Sequence, residues 1–156
     1  MKTSTLCLLT LLVSFYCGAQ NNLSSITQKD GMIGIGTSDP DQKLTVKGII
    51  HTQEVLVDLK GAVAPDFVFE SYYQGYSTLK RDYQMLDLKS LDTFLKQNHH
   101  LPEIPSAQKL KEDGLELKKM NLLLLQKIEE LTLYTLEQQQ QLDALQRQIK
   151  LLIKQQ

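Results

Sequence analysis

The chain has 156 residues, of which 42% are hydrophobic and 22% are charged, and its formal net charge at pH 7 is −1. This composition is ordinary for a soluble protein. Acidic and basic residues are mixed along the chain, so the sequence offers no basic surface of the kind that binds nucleic acid. Two special segments, one at each end, leave too few residues between them for the core of a large enzyme.

Residues 1–19 have the pattern of a secretory signal peptide. Lys2 supplies a basic start, an apolar stretch runs from Leu6 to Tyr16, and small residues lead to Ala19. We expect cleavage after Ala19, which would place the mature protein in the periplasm, on the cell surface or outside the cell. The apolar stretch is shorter than the roughly 20 residues of a membrane span, so we expect no span after cleavage.

Both cysteines of the chain, Cys7 and Cys17, lie within this signal segment. A lipoprotein signal would use Cys17 as the lipidated residue, but the bulky side chains of Phe15 and Tyr16 precede it where small ones are required. The mature protein is therefore expected to have no thiol, no disulfide and no cysteine metal site. Loss of Lys2 also takes the formal charge from −1 to −2.

The mature chain is expected to begin with a flexible, polar lead-in over residues 20–30. Residues 31–63 are expected to form a glycine-rich β segment, with short strands at 43–47 and 54–58. The glycines of this segment lack the third glycine and the following helix of a nucleotide-binding loop. No bound cofactor is therefore expected.

Residues 64–116 are expected to form a small α/β middle region. Its first part, residues 64–70, is apolar and is entered through a proline, which predicts a short strand or extended segment. Four tyrosines follow, and we favour packing beneath loops over the alternative of a sugar-binding platform. They are Tyr72, Tyr73, Tyr76 and Tyr83.

Two helices are predicted in the rest of the middle region. The first covers residues 87–98, with its first residue as the cap and with Leu88 and Leu91 on one apolar face. The second is a short helix over residues 106–113, which Gly114 ends in a left-handed conformation.

The side chains between these helices carry little chemistry. His99 and His100 are adjacent, so within one chain they point in different directions. A capping or loop role is favoured, and an axial metal site in an oligomer is the alternative. Ser106 and Lys109 could face each other on a helical turn, but helix capping explains Ser106 better. We therefore expect no catalytic residue and no metal site.

The C-terminal segment 117–156 repeats apolar residues with the spacing of positions a and d of a coiled coil. We expect a long helix that associates with copies of itself, because each large apolar side chain left in water would forgo about 1.5–3 kcal/mol. Eleven residues, named the seam from here on, occupy these positions: Leu117, Asn121, Leu124, Ile128, Leu131, Thr135, Gln138, Leu142, Leu145, Ile149 and Leu152.

The chemistry of the seam bears on how many chains associate. Isoleucine at a with leucine at d mildly favours two parallel strands. Asn121, Thr135 and Gln138 form polar layers that would align the chains in register at some cost in stability. Further leucines widen the apolar face of the first half of the helix, so this half is also expected to pack against residues 87–114. They are Leu122, Leu123, Leu125, Leu133 and Leu136.

Three stretches of the chain, Ala64–Phe69, Asn98–Ala107 and Glu129–Tyr134, resemble the C-terminal region of secreted Bacteroidota proteins described as tail-fibre-like. Residues 33–46 resemble the glycine-rich strand repeat of the same proteins. The resemblance implies the end of a fibre or stalk, homotrimeric, in which the C-terminal helices organise assembly. Related phage proteins end in an intramolecular chaperone domain that cleaves itself, but residues 57–66 lack its serine-containing motif. Self-cleavage is therefore not expected.

Together these features predict an α+β protein with a short β-rich N-terminal segment, a small mixed middle region and a long C-terminal helix. That helix is expected to form a parallel coiled coil, trimeric or alternatively dimeric. The predicted function is that of a non-enzymatic, exported structural or assembly protein whose partner is itself. A surface adhesin or carbohydrate-binding module on the same scaffold is the alternative. Surface glycans and other fibre components are further candidate partners, whereas a metal-dependent enzyme rests on the histidines alone.

Overall fold

The computed structural model describes residues 25–154. The predicted signal peptide, its cleavage site and the start of the lead-in lie outside the described residues. The chain divides after Val55 into two compact units. Among the described residues, the first unit contains the strands and the second contains the helices, which confirms the α+β class.

The first unit contains a three-stranded sheet of β1 (Ile26–Lys29), β2 (Met32–Ile35) and β3 (Leu44–Val46). β1 and β2 form an antiparallel hairpin, and β3 lies parallel to β2. The hairpin turn is Asp30-Gly31, whose φ angles of 51° and 73° are both positive. A type I′ turn requires this, and Asp-Gly favours it. Because β1 occupies part of the predicted lead-in, the expectation of a flexible segment was wrong there.

Of the two strands predicted in the β segment, one is confirmed and one is wrong. β3 lies within residues 43–47, and Thr45 fixes the turn before it. Thr45 Oγ1 donates to Asp41 Oδ1 at 2.8 Å and accepts from the N–H groups of Asp41 and Gln42, each at 3.1 Å. Residues 54–58 form no strand. A strand needs a hydrogen-bonded neighbour, and no segment of residues 25–154 pairs with this one.

The segment predicted to be extended at 64–70 instead leads into a helix, α1 (Phe67–Gln74). The first two residues of α1 are buried, and a short apolar run of this kind does not distinguish a strand from a buried helix. The helix ends at Gly75, whose φ of 83° and ψ of −7° are left-handed, a conformation that glycine adopts without steric cost. The middle region 64–116 is therefore helical, and not mixed α/β as predicted.

Two predicted helices are confirmed together with their N-terminal caps. α2 (Leu88–Asn98) begins after Asp87, whose Oδ1 accepts from the N–H of Ser90 at 2.8 Å. The hydrogen bonds from the backbone and side chain of Ser90 lower the pKa of Asp87 below its ordinary value. α3 (Ala107–Asp113) begins after Ser106, whose Oγ accepts from a backbone N–H one turn later at 3.3 Å. These local contacts were predictable because capping depends on near neighbours in the sequence.

The long helix α4 (Leu117–Lys154) begins at the residue predicted. Gly114 ends α3 with a φ of 82°, but its ψ of 179° is not the left-handed helical conformation that was predicted for it. With 38 residues, α4 is about 57 Å long. Its first half packs mainly on α1, and only in part on the region 87–114 that the leucine pattern predicted. The buried apolar core of the second unit comprises Phe67, Val68, Leu133 and Tyr134.

Candidate oligomerisation surface

All eleven residues of the seam are exposed in the single chain. Its apolar members range from Leu124, which is 45% exposed, to Leu152, which is 64% exposed. A long stripe of exposed apolar side chains, here interrupted by three polar residues, is typical of an interaction surface, because single exposed leucines are common but rows of them are not. Within residues 25–154 the seam therefore has no apolar cover of its own.

The side of α4 opposite the seam contacts the rest of the second unit. Successive residues of a helix turn by about 100°, so Leu133 lies about 160° around the helix from Leu131. Leu133 is fully buried, whereas Leu131 is 63% exposed. Gln126 and Leu133 occupy heptad position f, which faces away from the partner helix in a coiled coil, yet both are buried here. One side of α4 thus belongs to the fold of the single chain, and the other side is free.

A polar network centred on Glu103 joins α4 to the rest of the second unit. Glu103 Oε1 accepts from Lys80 Nζ at 2.8 Å, while Oε2 accepts from Gln126 and, at 3.5 Å, from Lys127. Lys127 Nζ also donates to both carboxylate oxygens of Glu130 at 3.0 Å. Burial alone would raise the pKa of Glu103, but hydrogen bonds from Lys80 and Gln126 and the charges of Lys80 and Lys127 outweigh it and lower the pKa. The inner side of α4 is thereby fixed by charge as well as by apolar packing.

Tyr83 connects this network to the apolar core. Its OH donates to Glu130 Oε1 at 3.0 Å, and its ring meets the ring of Phe67 edge-on with centroids 4.9 Å apart. Lys80 Nζ lies 5.0 Å from the centre of the Phe67 ring, within the range of a cation–π contact. Burial and then the negative charge of Glu130 raise the pKa of Tyr83 well above its ordinary value. Tyr83 therefore remains a neutral hydrogen-bond donor.

Glu129 is the exception to this pattern of paired charges. It lies on the inner side of α4, is 6% exposed, and its Oε2 has no hydrogen-bond partner among residues 25–154. Burial and then the nearby charge of Asp66 raise the pKa of Glu129. A buried carboxylate without a partner destabilises the fold when it is ionised.

The second half of α4 differs from the first because almost nothing among residues 25–154 covers it. From Gln139 to Lys154 every residue is exposed except Ala144, which is half-buried. The polar seam residues Thr135 and Gln138 lie where the covered half ends. Thr135 Oγ1 donates to the carbonyl of Leu131 at 2.9 Å, so its hydroxyl is satisfied within the helix. A central polar layer can therefore be buried in a coiled coil without leaving this hydroxyl unpaired.

A groove of about 420 Å³ lies between α2 and α4. Leu124, Ile128 and Leu131 of the seam line one side of it, and Leu88 and Leu91 of α2 line the other. The sequence predicted that Leu88 and Leu91 share an apolar face. Helical spacing carries no information about which distant element that face adjoins, so their position beside the seam was missed.

The two adjacent histidines have local structural contacts. His99 follows the end of α2 with a φ of 57°, and its N–H donates to the carbonyl of Leu95 at 2.9 Å. The ring of His100 lies edge-on to that of Phe94 at 5.7 Å, and its Nδ1 lies 3.0 Å from the carbonyl oxygen of Leu101. These contacts agree with a capping and loop role. In the part of the chain that the structure describes, no three His, Cys, Asp or Glu side chains come together as a metal site requires.

The predicted tyrosine cluster is divided in two by the structure. Tyr83 packs against the core, as described above. Tyr72, Tyr73 and Tyr76 are 39%, 68% and 63% exposed, and the first two rings meet edge-on at 5.0 Å. A hydrogen bond with Glu137 is the main cause of a raised pKa at Tyr72. The exposed three remain a candidate surface for a ligand with apolar faces.

Comparison with known proteins leaves the function to be inferred from the chain itself. No protein-family model, no curated protein and no solved structure matches it. Across residues 25–154, no helix combines the length and the apolar character that crossing a membrane requires.

Proposed function

We propose that this chain is a non-enzymatic, exported structural protein that assembles through a parallel coiled coil of α4, as the end of a fibre or stalk. The observation that carries the proposal is the exposure of the whole seam on the side of α4 away from its own fold. An apolar stripe on a helix about 57 Å long favours a partner of equal length. Heptad spacing favours association with an identical helix, because the a and d side chains of each helix then fit between those of the other along the whole seam.

The polar layers of the seam support a parallel arrangement in register. In that arrangement Asn121, Thr135 and Gln138 each meet their own copies, so no polar side chain is set against leucine or isoleucine. The resemblance to tail-fibre-like proteins favours three chains, whereas isoleucine at a with leucine at d mildly favours two. We propose a trimer, with a dimer as the alternative.

The β unit supports the same proposal because it has little core of its own. The buried apolar core of the described residues lies in the second unit, whereas Ile33, Leu44 and Ile49 are 44%, 57% and 98% exposed. Units this small are marginally stable alone. Association through α4 would raise the local concentration of the β units, so that their apolar side chains find partners in neighbouring copies.

Light scattering on the chain lacking residues 1–19 tests the proposal. A trimer supports the fibre-end proposal in full. A dimer is consistent with assembly through the coiled coil, but the number of chains would then follow the residues at a and d and not the resemblance to tail-fibre-like proteins. A monomer at the highest attainable concentration removes the mechanism altogether.

Export is part of the proposal and has a separate test. The full chain should be recovered outside the cytoplasm with its N-terminus at Gln20, as determined by the mass of the purified protein. Recovery in the cytoplasm with residues 1–19 intact would contradict export without touching the coiled coil.

A surface adhesin or carbohydrate-binding module is the second candidate, and the exposure of Tyr72, Tyr73 and Tyr76 favours it. Sugars stack on the apolar faces of aromatic rings while the polar tips form hydrogen bonds. Glycan-array binding that is lost in Tyr73→Ala and Tyr76→Ala, but retained in Tyr83→Phe, would support this function. Absence of glycan binding by the assembled protein would leave the structural function alone.

A further inference from the structure

The groove between α2 and α4 lies along one flank of the seam. On α4 it contains heptad positions g and c, which are Lys127, Tyr134 and Glu130. Its outer wall is α2 and the loop after it, where Leu88 is 45% exposed and Leu101 is 39% exposed. Because this wall stands outside positions a and d, it extends the apolar surface beyond the coiled-coil seam.

The other flank of the seam carries two exposed leucines, which lie on either side of the buried Glu129 along α4. Leu125 at position e is 43% exposed, and Leu136 at position b is 45% exposed. Neither belongs to the buried core, and neither lies in the seam. Along α4 they fall within the stretch from Leu124 to Gln138 that borders the groove. The chain thus has an apolar groove on one flank and apolar side chains at the same height on the other.

We propose that the groove between α2 and α4 is the docking site for the flank of α4 that carries Leu125 and Leu136 in a second copy of this chain. The inference rests on the proposed parallel association of α4. In a parallel coiled coil, position g of one helix faces position e of the next. Residues with the same number lie at the same height, so the leucine-bearing flank of one copy meets the groove of its neighbour.

The charges around the groove are compatible with an apolar occupant. The side chains of Lys127 and Glu130 are only 11% and 12% exposed and are paired with each other at 3.0 Å. Tyr134 OH donates to the carbonyl of Leu86 at 2.5 Å, and burial is the main cause that raises its pKa to about 12. Leucines can therefore enter without leaving these polar groups newly unpaired, which would be costly in a desolvated site.

The same geometry gives a closed assembly. Groove and leucine flank are different surfaces of one chain, so in a trimer the contact is heterologous and closes into a ring around a common axis. In a parallel dimer the same contact occurs twice within one isologous interface. Each copy then donates one flank and accepts another. The docking is the same for two or three chains, so it does not depend on the oligomer number.

Cross-linking between two singly substituted chains tests the docking. In every chain Cys7 and Cys17 are replaced by serine, so that the introduced cysteine is the only thiol. A Leu88→Cys chain is mixed with a longer, tagged Leu136→Cys chain, unfolded and refolded together, and treated with a short bismaleimide. We expect a cross-linked species of mixed size. The matched control is Gln140→Cys, which is exposed, lies one turn beyond Leu136 and is about 40° further from the seam, so it should link to Leu88→Cys less than position 136 does.

The rate of maleimide labelling provides a second measurement. In the assembled protein the thiols at 88 and 136 should react about tenfold more slowly than in chains made monomeric by Leu145→Asp and Ile149→Asp. The thiol at 140 should react at the same rate in both. This comparison remains informative if the cross-linker fails to reach.

The outcomes separate this docking from the proposed coiled coil. An oligomer whose thiols at 88 and 136 react as fast as in the monomeric chains would overturn the docking and leave the coiled coil standing. Equal linking of Leu88→Cys to positions 136 and 140 would also overturn it. A wild-type chain that is monomeric by light scattering would overturn both.

Discussion

The two halves of α4 have similar leucine-rich sequences but different surroundings. In the first half, Leu133 is fully buried and Leu131, two residues before it, is 63% exposed. In the second half, Leu145 and Leu151 are 54% and 61% exposed although they lie on different sides of the helix. The first half therefore combines the fold of one chain with a free seam, and the second half has a free seam alone. The exposed seam is the feature that both halves share, and it is the feature on which the proposed association rests.

Charging the seam in the second half of α4, where the seam residues have no other role, tests whether the two halves differ in this way. Each seam side chain contributes about 1.5–3 kcal/mol, so Leu145→Asp with Ile149→Asp should remove about 3–6 kcal/mol of association free energy per copy. We expect a monomer by light scattering, with the inner contacts of α4 intact.

The matched control places the same charges on the outward side of the same half. Gln140→Asp with Leu151→Asp adds two carboxylates about 170° and 130° from the centre of the seam and should keep the wild-type mass. A monomeric control would mean that charge repulsion, and not seam contact, separates the chains.

The second prediction concerns the inner side of α4. Leu133→Ala deletes a fully buried side chain at the contact with α1 and should lower the free energy of unfolding by about 2–5 kcal/mol. The measurement is urea unfolding in the monomeric Leu145→Asp, Ile149→Asp chain, so that association does not contribute. Leu151→Ala in the same chain should change stability by less than about 0.5 kcal/mol. Equal losses of unfolding free energy in Leu133→Ala and Leu151→Ala would contradict the difference between the two halves of α4.

The last prediction concerns how the stability of the inner side of α4 depends on pH. The pKa of Glu129 is raised by burial and by Asp66, so the folded state binds more protons than the unfolded state above the ordinary range of a carboxyl group. Stability from this site is therefore present at low pH and is lost as pH rises through the raised pKa. Glu129→Gln should make the chain more stable near neutral pH and flatten this dependence. Urea midpoints across pH measure it, and the exposed Glu116→Gln should leave the slope unchanged.

The sequence predicted those parts of the fold that depend on near neighbours. The caps at Asp87 and Ser106 and the start of α4 were correct, because a cap or a heptad is decided within a few residues. The apolar run at the start of α1 was wrongly predicted to be extended. Its buried side chains pack against Leu133, which is distant in the sequence, so the local pattern does not reveal the helix. The strand expected at 54–58 failed because pairing requires a second segment that local alternation does not specify.

The candidate surface was predicted in part for the same reason. The seam could be predicted from the sequence, because its eleven residues follow a period of seven. The wall of the groove and the network around Glu103 bring together residues separated by 23 to 47 positions, and periodicity within one helix contains no signal for such pairs. Leu133 was assigned to a widened apolar face, but only the structure places it opposite the seam.

The burial of Gln126 and Leu133 has a mechanical consequence for assembly. These contacts fix the rotation of α4 about its own axis, and no proline or glycine after Gly114 interrupts the helix to absorb a change. A repacking of the core that advanced α4 by one residue would rotate every seam position by about 100° and turn the stripe away from its partners. If α4 assembles as proposed, the core of each chain sets the direction in which every seam residue points, so that a chain packed incorrectly at Leu133 would turn Leu152, near the far end of α4, away from the neighbouring chains.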